Sequence, residues 1–456
     1  MTSNTVFEER LGLRRPRHWI DDWRPEDPAF WSQRGERVAK RNLAFSILTE
    51  HIGFSVWTLW AVFVLFLGPD YGFSPYQKFL LTAAPTAIGA LARIPYTFAV
   101  ARYGGRNWTV VSALLLLVPC ALTAIILKPG VSFGTLLAIS LFAGFGGGNF
   151  ASSMANINAF YPQRLKGWAL GLNAGGGNLG VAAVQLVGLL VLATAGKGEP
   201  RLILAIYAPL IVIAATCAAL FMDNLAQTRN EKRAMRDVLR EPHTWIMSLL
   251  YIGTFGSFIG FSFAFGQVLQ IQFKDQFATP INAAYLTFLG PLLGSLIRPV
   301  GGRLADRLGG ARVTFWNFVA MAASAGIVLT ASIERSLPAF IVGFILLFAC
   351  SGLGNGSTYK MIPAIFAAKC RSAVGGGADE GKAEHDARRF SAALIGIAGA
   401  IGAFGGVLVN LAFRQSFLSA GSGNAAYIAF IAFYGVCFVI TWAVYMRPSA
   451  GRLTGV

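Results

Sequence analysis

Charge is scarce in this chain of 456 residues: Asp, Glu, Lys and Arg together make up 13%, about half the roughly 25% of ordinary soluble domains. A soluble domain of this size would need far more polar surface, so that class is excluded. Cysteine is nearly absent as a structural device. The five cysteines, Cys120, Cys217, Cys350, Cys370 and Cys437, are odd in number, lie mostly inside apolar runs and lack metal-ligand spacing, which argues against a disulfide framework or a zinc site. The period-two alternation of a membrane-spanning strand is missing. So is a cleavable leader: the first 40 residues are polar and basic, and the first long apolar run begins near Leu43. No nucleophile–base pair, metal cluster or cofactor motif is present, and the four histidines are dispersed. The sequence therefore predicts no enzyme, no metal and no cofactor.

What is there instead is apolarity: 55% of the residues are hydrophobic, in recurring stretches of about 20 residues, the length that crosses a bilayer as a helix. Twelve such helices are expected. They divide into a first six-helix half over 43–222 and a second over 246–446. An arm (1–42), a polar linker (223–245) and a tail (447–456) complete the chain. Lysine and arginine fall overwhelmingly on one side: 28 lie in the arm, the linker, the tail and the loops of that side, against seven in the opposite loops. The positive-inside rule then puts both termini in the cytoplasm. The net charge of +17 is thereby a topology signal, spread over short loops and not gathered into a nucleic-acid groove.

Three basic residues remain inside predicted helices: Arg93, Arg298 and Lys360. One acid does, Glu50, beside His51. Ionisable groups at membrane depth mark a substrate or ion pathway unless they snorkel or pair. The arginines form a repeat. Gly104-Gly105 follows Arg93 by eleven residues, and Gly309-Gly310 follows Arg298 by eleven. Each arginine thus lies about seven residues from the basic end of the second helix of its half, roughly 10 Å inside. Two such halves bind substrate between them near the midplane. With one intramembrane carboxylate for two guanidinium groups, the substrate is expected to be an anion, and the planar fork suits a planar oxyanion. Glycine-rich helices at 144–150, 171–178, 352–357 and 396–406 allow close packing around a narrow cavity. Tyr251 and Phe255 share one face of the seventh helix.

These residues resemble a known family. Gly302-Arg303-Leu304-Ala305-Asp306-Arg307-Leu308-Gly309-Gly310 is similar to the loop between the second and third helices of each half in the major facilitator superfamily, degenerate in the first half as Tyr103-Gly104-Gly105-Arg106. More narrowly, the chain resembles the NarK family of nitrate/nitrite porters, from Trp23-Arg24-Pro25-Glu26-Asp27-Pro28-Ala29-Phe30-Trp31 to Trp442-Ala443-Val444-Tyr445. The match includes Asn149 to Ile157 and the glycine-rich signatures Gly167 to Leu179 and Gly396 to Leu408. The resemblance implies an all-α integral membrane protein of the major facilitator fold, a monomer in the inner (plasma) membrane. Arg93 and Arg298 would clamp nitrate or nitrite, Asn178 would add a donor, Phe150 and Phe255 would sandwich the ion, and Tyr251 would bond to the site. Asp306, with Arg307, would latch a cytoplasmic gate through helix N-terminal amides and neighbouring arginines. Coupling stays open between nitrate/nitrite exchange and proton symport, with Glu50, His51 and Lys360 as candidate proton carriers; an anion channel or sensor is a further class.

Overall fold

The computed structural model describes residues 18–196, 199–228, 232–277 and 280–448, with 453, 455 and 456. The first seventeen residues of the arm, Lys197, Arg229 of the linker and most of the tail beyond 448 lie outside the described residues. So do the side chains of Lys232 and Arg233.

Among the described residues the long helices form twelve rods: α1 Pro28–Phe66, α2 Pro75–Tyr103, α3 Gly105–Ile126, α4 Phe133–Phe160, α5 Gln163–Ala195, α6 Arg201–Phe221, α7 Pro242–Gln272, α8 Leu289–Leu308, α9 Gly310–Ile333, α10 Leu337–Gly375, α11 Glu380–Ala420 and α12 Asn424–Met446. Ten are long and apolar enough to cross a membrane on composition and length alone. The two that fall short are α2 and α8, which carry Arg93 and Arg298 together with internal prolines. Several rods outrun their apolar segments. α1 begins at Pro28, where Asp27 accepts from the amides of Ala29 and Phe30, and α11 begins at Glu380, capped by Asp379. Apolarity marks the length inside the bilayer; capping side chains set the helix ends.

The repeat in sequence is a repeat in backbone. Gly104 (φ 87°, ψ 143°) ends α2 and Gly309 (φ 90°, ψ 134°) ends α8, a conformation essentially reserved for glycine. Helix contacts obey the same relation. Between halves, α2 packs on α11 and α5 on α8, pairs that an in-register two-fold exchanges, while α1 meets α7. An unexpected element joins arm to linker: Trp19–Ile20 pairs in parallel with Asn224–Leu225. Beside it, Asp223 accepts from Arg41 at 2.5 Å and from Asn42 at 3.0 Å.

Candidate functional site

Arg93 is wholly buried. Its Nε donates to the Gly147 carbonyl at 3.2 Å and its Nη1 to the Gly399 carbonyl of α11 at 2.7 Å. A Cβ at position 399 would make only ordinary contacts, 3.6 Å from Nη1 and from the Phe150 ring, whereas one at 147 would collide with the Trp57 ring at 2.7 Å. The Cζ atom lies 4.5 Å from the Phe150 ring centroid, 5.0 Å from Phe255 and 5.6 Å from Trp57. Its Nη2 is buried with no partner.

Arg298 is 4% exposed. Its Nη2 donates to the Tyr251 hydroxyl at 3.3 Å, its Cζ lies 5.7 Å from the Tyr359 ring, and its Nη1 is buried without a partner. Tyr251 stacks on Phe255 at 5.1 Å and 11°, so an unbroken set of contacts runs from one guanidinium to the other. Tyr251 immediately precedes, and Phe255 lies within, a π-helical turn, Ile252–Gly256, of the kind that recurs at functional sites. Among the described residues neither guanidinium is bonded to a carboxylate. Each keeps one NH2 group desolvated and unsatisfied, an arrangement costing several kcal/mol unless a ligand completes it.

Two expectations need correction here. Phe150 and Phe255 do face one another, but at 6.0 Å and 27°, whereas a planar ion between two rings needs about 7 Å, roughly 3.5 Å per face. In this conformation they close beside Arg93 and hold its guanidinium, not a gap for the anion. Among the described residues the partner of Asp306 is neither a helix amide nor an arginine: its Oδ1 takes Lys360 Nζ at 2.6 Å, because α8 and α10 pack side by side. Arg307 is exposed. Lys360 is thus half of an ion pair whose side chains are 37% and 53% exposed, at the basic end of the helices, away from the arginine pair.

Glu50 and His51 part company. Glu50 is wholly buried; its Oε2 accepts from Ser153 and, at 2.6 Å, from Asn173, while Oε1 has no partner. It remains within electrostatic reach of both Arg93 and Arg298. His51 turns the other way, its Nδ1 3.1 Å from the Gly176 carbonyl of α5. Asn178 is buried with both amide atoms unpaired. Sequence reasoning missed Tyr359, Asn355, Ser153 and Asn173. The first two neighbour Lys360 and the glycine-rich segment of α10, but a tyrosine or asparagine in an apolar helix carries no mark of its missing partner.

A cavity of about 340 Å³ leads away from Arg93, lined by Thr97, Ala101, Phe150, Ala155, Asn158, Gly396 and Gly399 and reaching Arg389 and the linker residues Thr228 and Met235. It runs toward the end at which α1 begins and α12 ends. The opposite end is closed by polar contacts between halves: Thr82 to Asn410 at 2.9 Å, Gln267 to Thr82 at 3.3 Å, and Gln185 to the Ser262 carbonyl at 3.0 Å. Two repeated halves around a buried polar site, with a cavity leading from Arg93 toward one end and polar contacts sealing the other, are the architecture of an alternating-access secondary carrier.

Comparison with known proteins agrees. The Major Facilitator Superfamily model matches residues 45–378. The nitrate/nitrite transporter NarU of Escherichia coli is 41% identical, covering 95% of this chain and 97% of the relative, and NarU of Salmonella typhimurium is 40% identical over 94% and 97%. The probable nitrate/nitrite antiporter NarK2 of Thermus thermophilus is 33% identical over 95% and 98%. In fold, the chain is similar to the crystal structure of a D-xylose–proton symporter, with a TM-score of 0.66 at 14% identity over 92% of this chain and 99% of that one. The chain belongs to the Major Facilitator Superfamily and, within it, to the nitrate/nitrite porter family of NarU and NarK.

Proposed function

We propose that this chain carries nitrate and nitrite across the inner membrane, both termini in the cytoplasm, and that its basic mode is exchange of one anion for the other. The observation that carries this reading is the pair of buried, unpartnered NH2 groups on Arg93 and Arg298. A small planar oxyanion supplies the acceptors they lack and offsets the repulsion between two like charges in a low dielectric. Binding, not bond making, is all the site is equipped for. The cavity and both arginines belong to one chain, which supports a monomer as the working unit.

A second mode has its own support in Glu50. With Glu50 ionised and the site empty, the three groups sum to one positive charge. With Glu50 protonated and nitrate bound, the sum is the same. Loading a proton together with nitrate therefore leaves the charge that must reorient unchanged, so the carrier can return empty. His51 and Lys360 are poorer proton carriers, the one tied to a backbone carbonyl and the other to Asp306.

Proteoliposome uptake tests both modes. Nitrate uptake should be driven by internal nitrite without a pH gradient, and also by inward acid without nitrite. Glu50→Gln should retain the first and lose the second at least tenfold; unchanged acid-driven uptake in that variant would remove Glu50 from the cycle. A channel would show no saturable counterflow.

A further inference from the structure

Two polar side chains near the arginines have no part in the reading above. The Tyr359 hydroxyl is buried with no hydrogen-bond partner, and so are both amide atoms of Asn355, one turn earlier on the same face of α10. The Tyr359 ring lies 5.8 Å from the Tyr251 ring and 5.7 Å from Arg298 Cζ, and its hydroxyl is within electrostatic reach of both Arg298 and Arg93. A buried donor without an acceptor is costly, and native proteins keep few of them. Unfilled donors here include Arg93 Nη2, Arg298 Nη1, Tyr359 Oη and the Asn355 amide nitrogen, with the Tyr359 ring the one that lies against Arg298. The Tyr251 hydroxyl accepts from Arg298 and keeps its own O–H to donate, while Nε and Nη1 of Arg93 are engaged by backbone carbonyls.

With Tyr359 beside the two arginines, the site offers a donor to each oxygen of an ion that has three. Nitrate presents three equivalent acceptors at 120° in one plane. Nitrite presents two oxygens and a nitrogen lone pair, a weaker and differently directed acceptor. A site that has donors for three oxygens penalises the ion that leaves one donor unmatched. We infer that Tyr359 donates to the third oxygen of nitrate and is the residue by which this carrier favours nitrate over nitrite. The inference rests on the nitrate/nitrite reading of the site.

Tyr359→Phe tests it in the full-length carrier, because the change removes one oxygen and keeps the ring. Half-saturation constants for nitrate and for nitrite are measured by counterflow in one proteoliposome preparation, so yield does not enter the comparison. The constant for nitrate should rise about tenfold, the loss of one buried hydrogen bond. That for nitrite should move less than twofold, with maximal rates unchanged. Retained nitrite counterflow also certifies that the variant is folded. Equal weakening of both ions would make Tyr359 a packing or positioning residue and overturn the inference, as would wild-type constants for both. Failure of the wild-type carrier to take up nitrate would strike the underlying reading alone.

Discussion

A guanidinium inside a bilayer is legible in sequence because nothing cheap explains it, and the two here are held by unlike means. Arg93 spends Nε and Nη1 on glycine carbonyls and keeps Nη2; Arg298 spends Nη2 on a phenol and keeps Nη1. In each case the fork fixes the direction of the remaining NH2, which a point charge on a flexible stem cannot do. Arg93→Lys and Arg298→Lys should therefore each abolish transport about as fully as Gln, despite keeping the charge. The expected loss in kcat/KM for nitrate counterflow is about a hundredfold or more, two charge-assisted bonds at roughly 1.5 kcal/mol each. A lysine variant with near wild-type rates would show that charge alone binds the anion. Glu50 was legible for the same reason as the arginines. Its partners Ser153 and Asn173 were not, since neutral polar residues are common in packed membrane helices. Tyr359 and Asn355 become visible only when the hydrogen-bond partners around them are counted in three dimensions.

Elements tell the same story at a coarser grain. Apolar length found the rods, yet α2 and α8 are the two that apolarity describes worst, because glycine, proline and arginine are what a site-bearing helix needs. Helix ends run past the apolar segments wherever a cap lies beyond the bilayer, as at Asp27 and Asp379. The π-turn of α7 that brings Tyr251 against Phe255 left no trace beyond two glycines. The duplicated junctions were fully readable from the Gly-Gly register, and they make a controlled comparison. Both Gly104 and Gly309 take a glycine-only conformation, so an alanine at either costs about 1–3 kcal/mol of strain. At 309 a Cβ meets only the Val456 carbonyl oxygen at 3.5 Å, an ordinary contact. At 104 it collides with the side chain of Asn224, Cγ of which would be 2.6 Å away. Gly104→Ala should thus lower the melting temperature in detergent more than Gly309→Ala does, and should also loosen the linker, whose Asn224 bonds to Asn107 at 3.1 Å. Equal shifts would mean that Asn224 moves aside without cost.

On the scale of the whole molecule, the asymmetry between the two ends of the site defines the conformation. The end at which α1 begins and α12 ends is hollow from Arg93 to Asn158. The other end is packed, with Leu65 of α1 against Gly266 of α7, where a Cβ would come within 3.0 Å of the Leu65 side chain. That is the state in which an anion exits to, or enters from, the side of the termini. Transport requires the converse state, in which Thr82, Gln267 and Asn410 part and the helices around Asn158 close. Cysteine accessibility reads both the sidedness and the switch. In a background with Cys217, Cys350 and Cys370 replaced by alanine, Ala155→Cys should react with a membrane-impermeant maleimide only in inside-out vesicles. Leu65→Cys should react poorly from either face without substrate. During nitrate/nitrite exchange the converse state is visited on every turnover, so Leu65→Cys should gain reactivity from the periplasmic face while Ala155→Cys loses it. Asn410→Ala, which removes one of the bonds sealing that face, should raise the substrate-free reactivity of Leu65→Cys several-fold, because a net hydrogen bond of about 1 kcal/mol shifts a two-state population by roughly fivefold. Labelling of Ala155→Cys from the periplasmic face at rest would reverse the proposed orientation. Reactivities indifferent to the Asn410 change would mean that the seal is held by apolar packing between α1 and α7, with the polar bonds incidental to it.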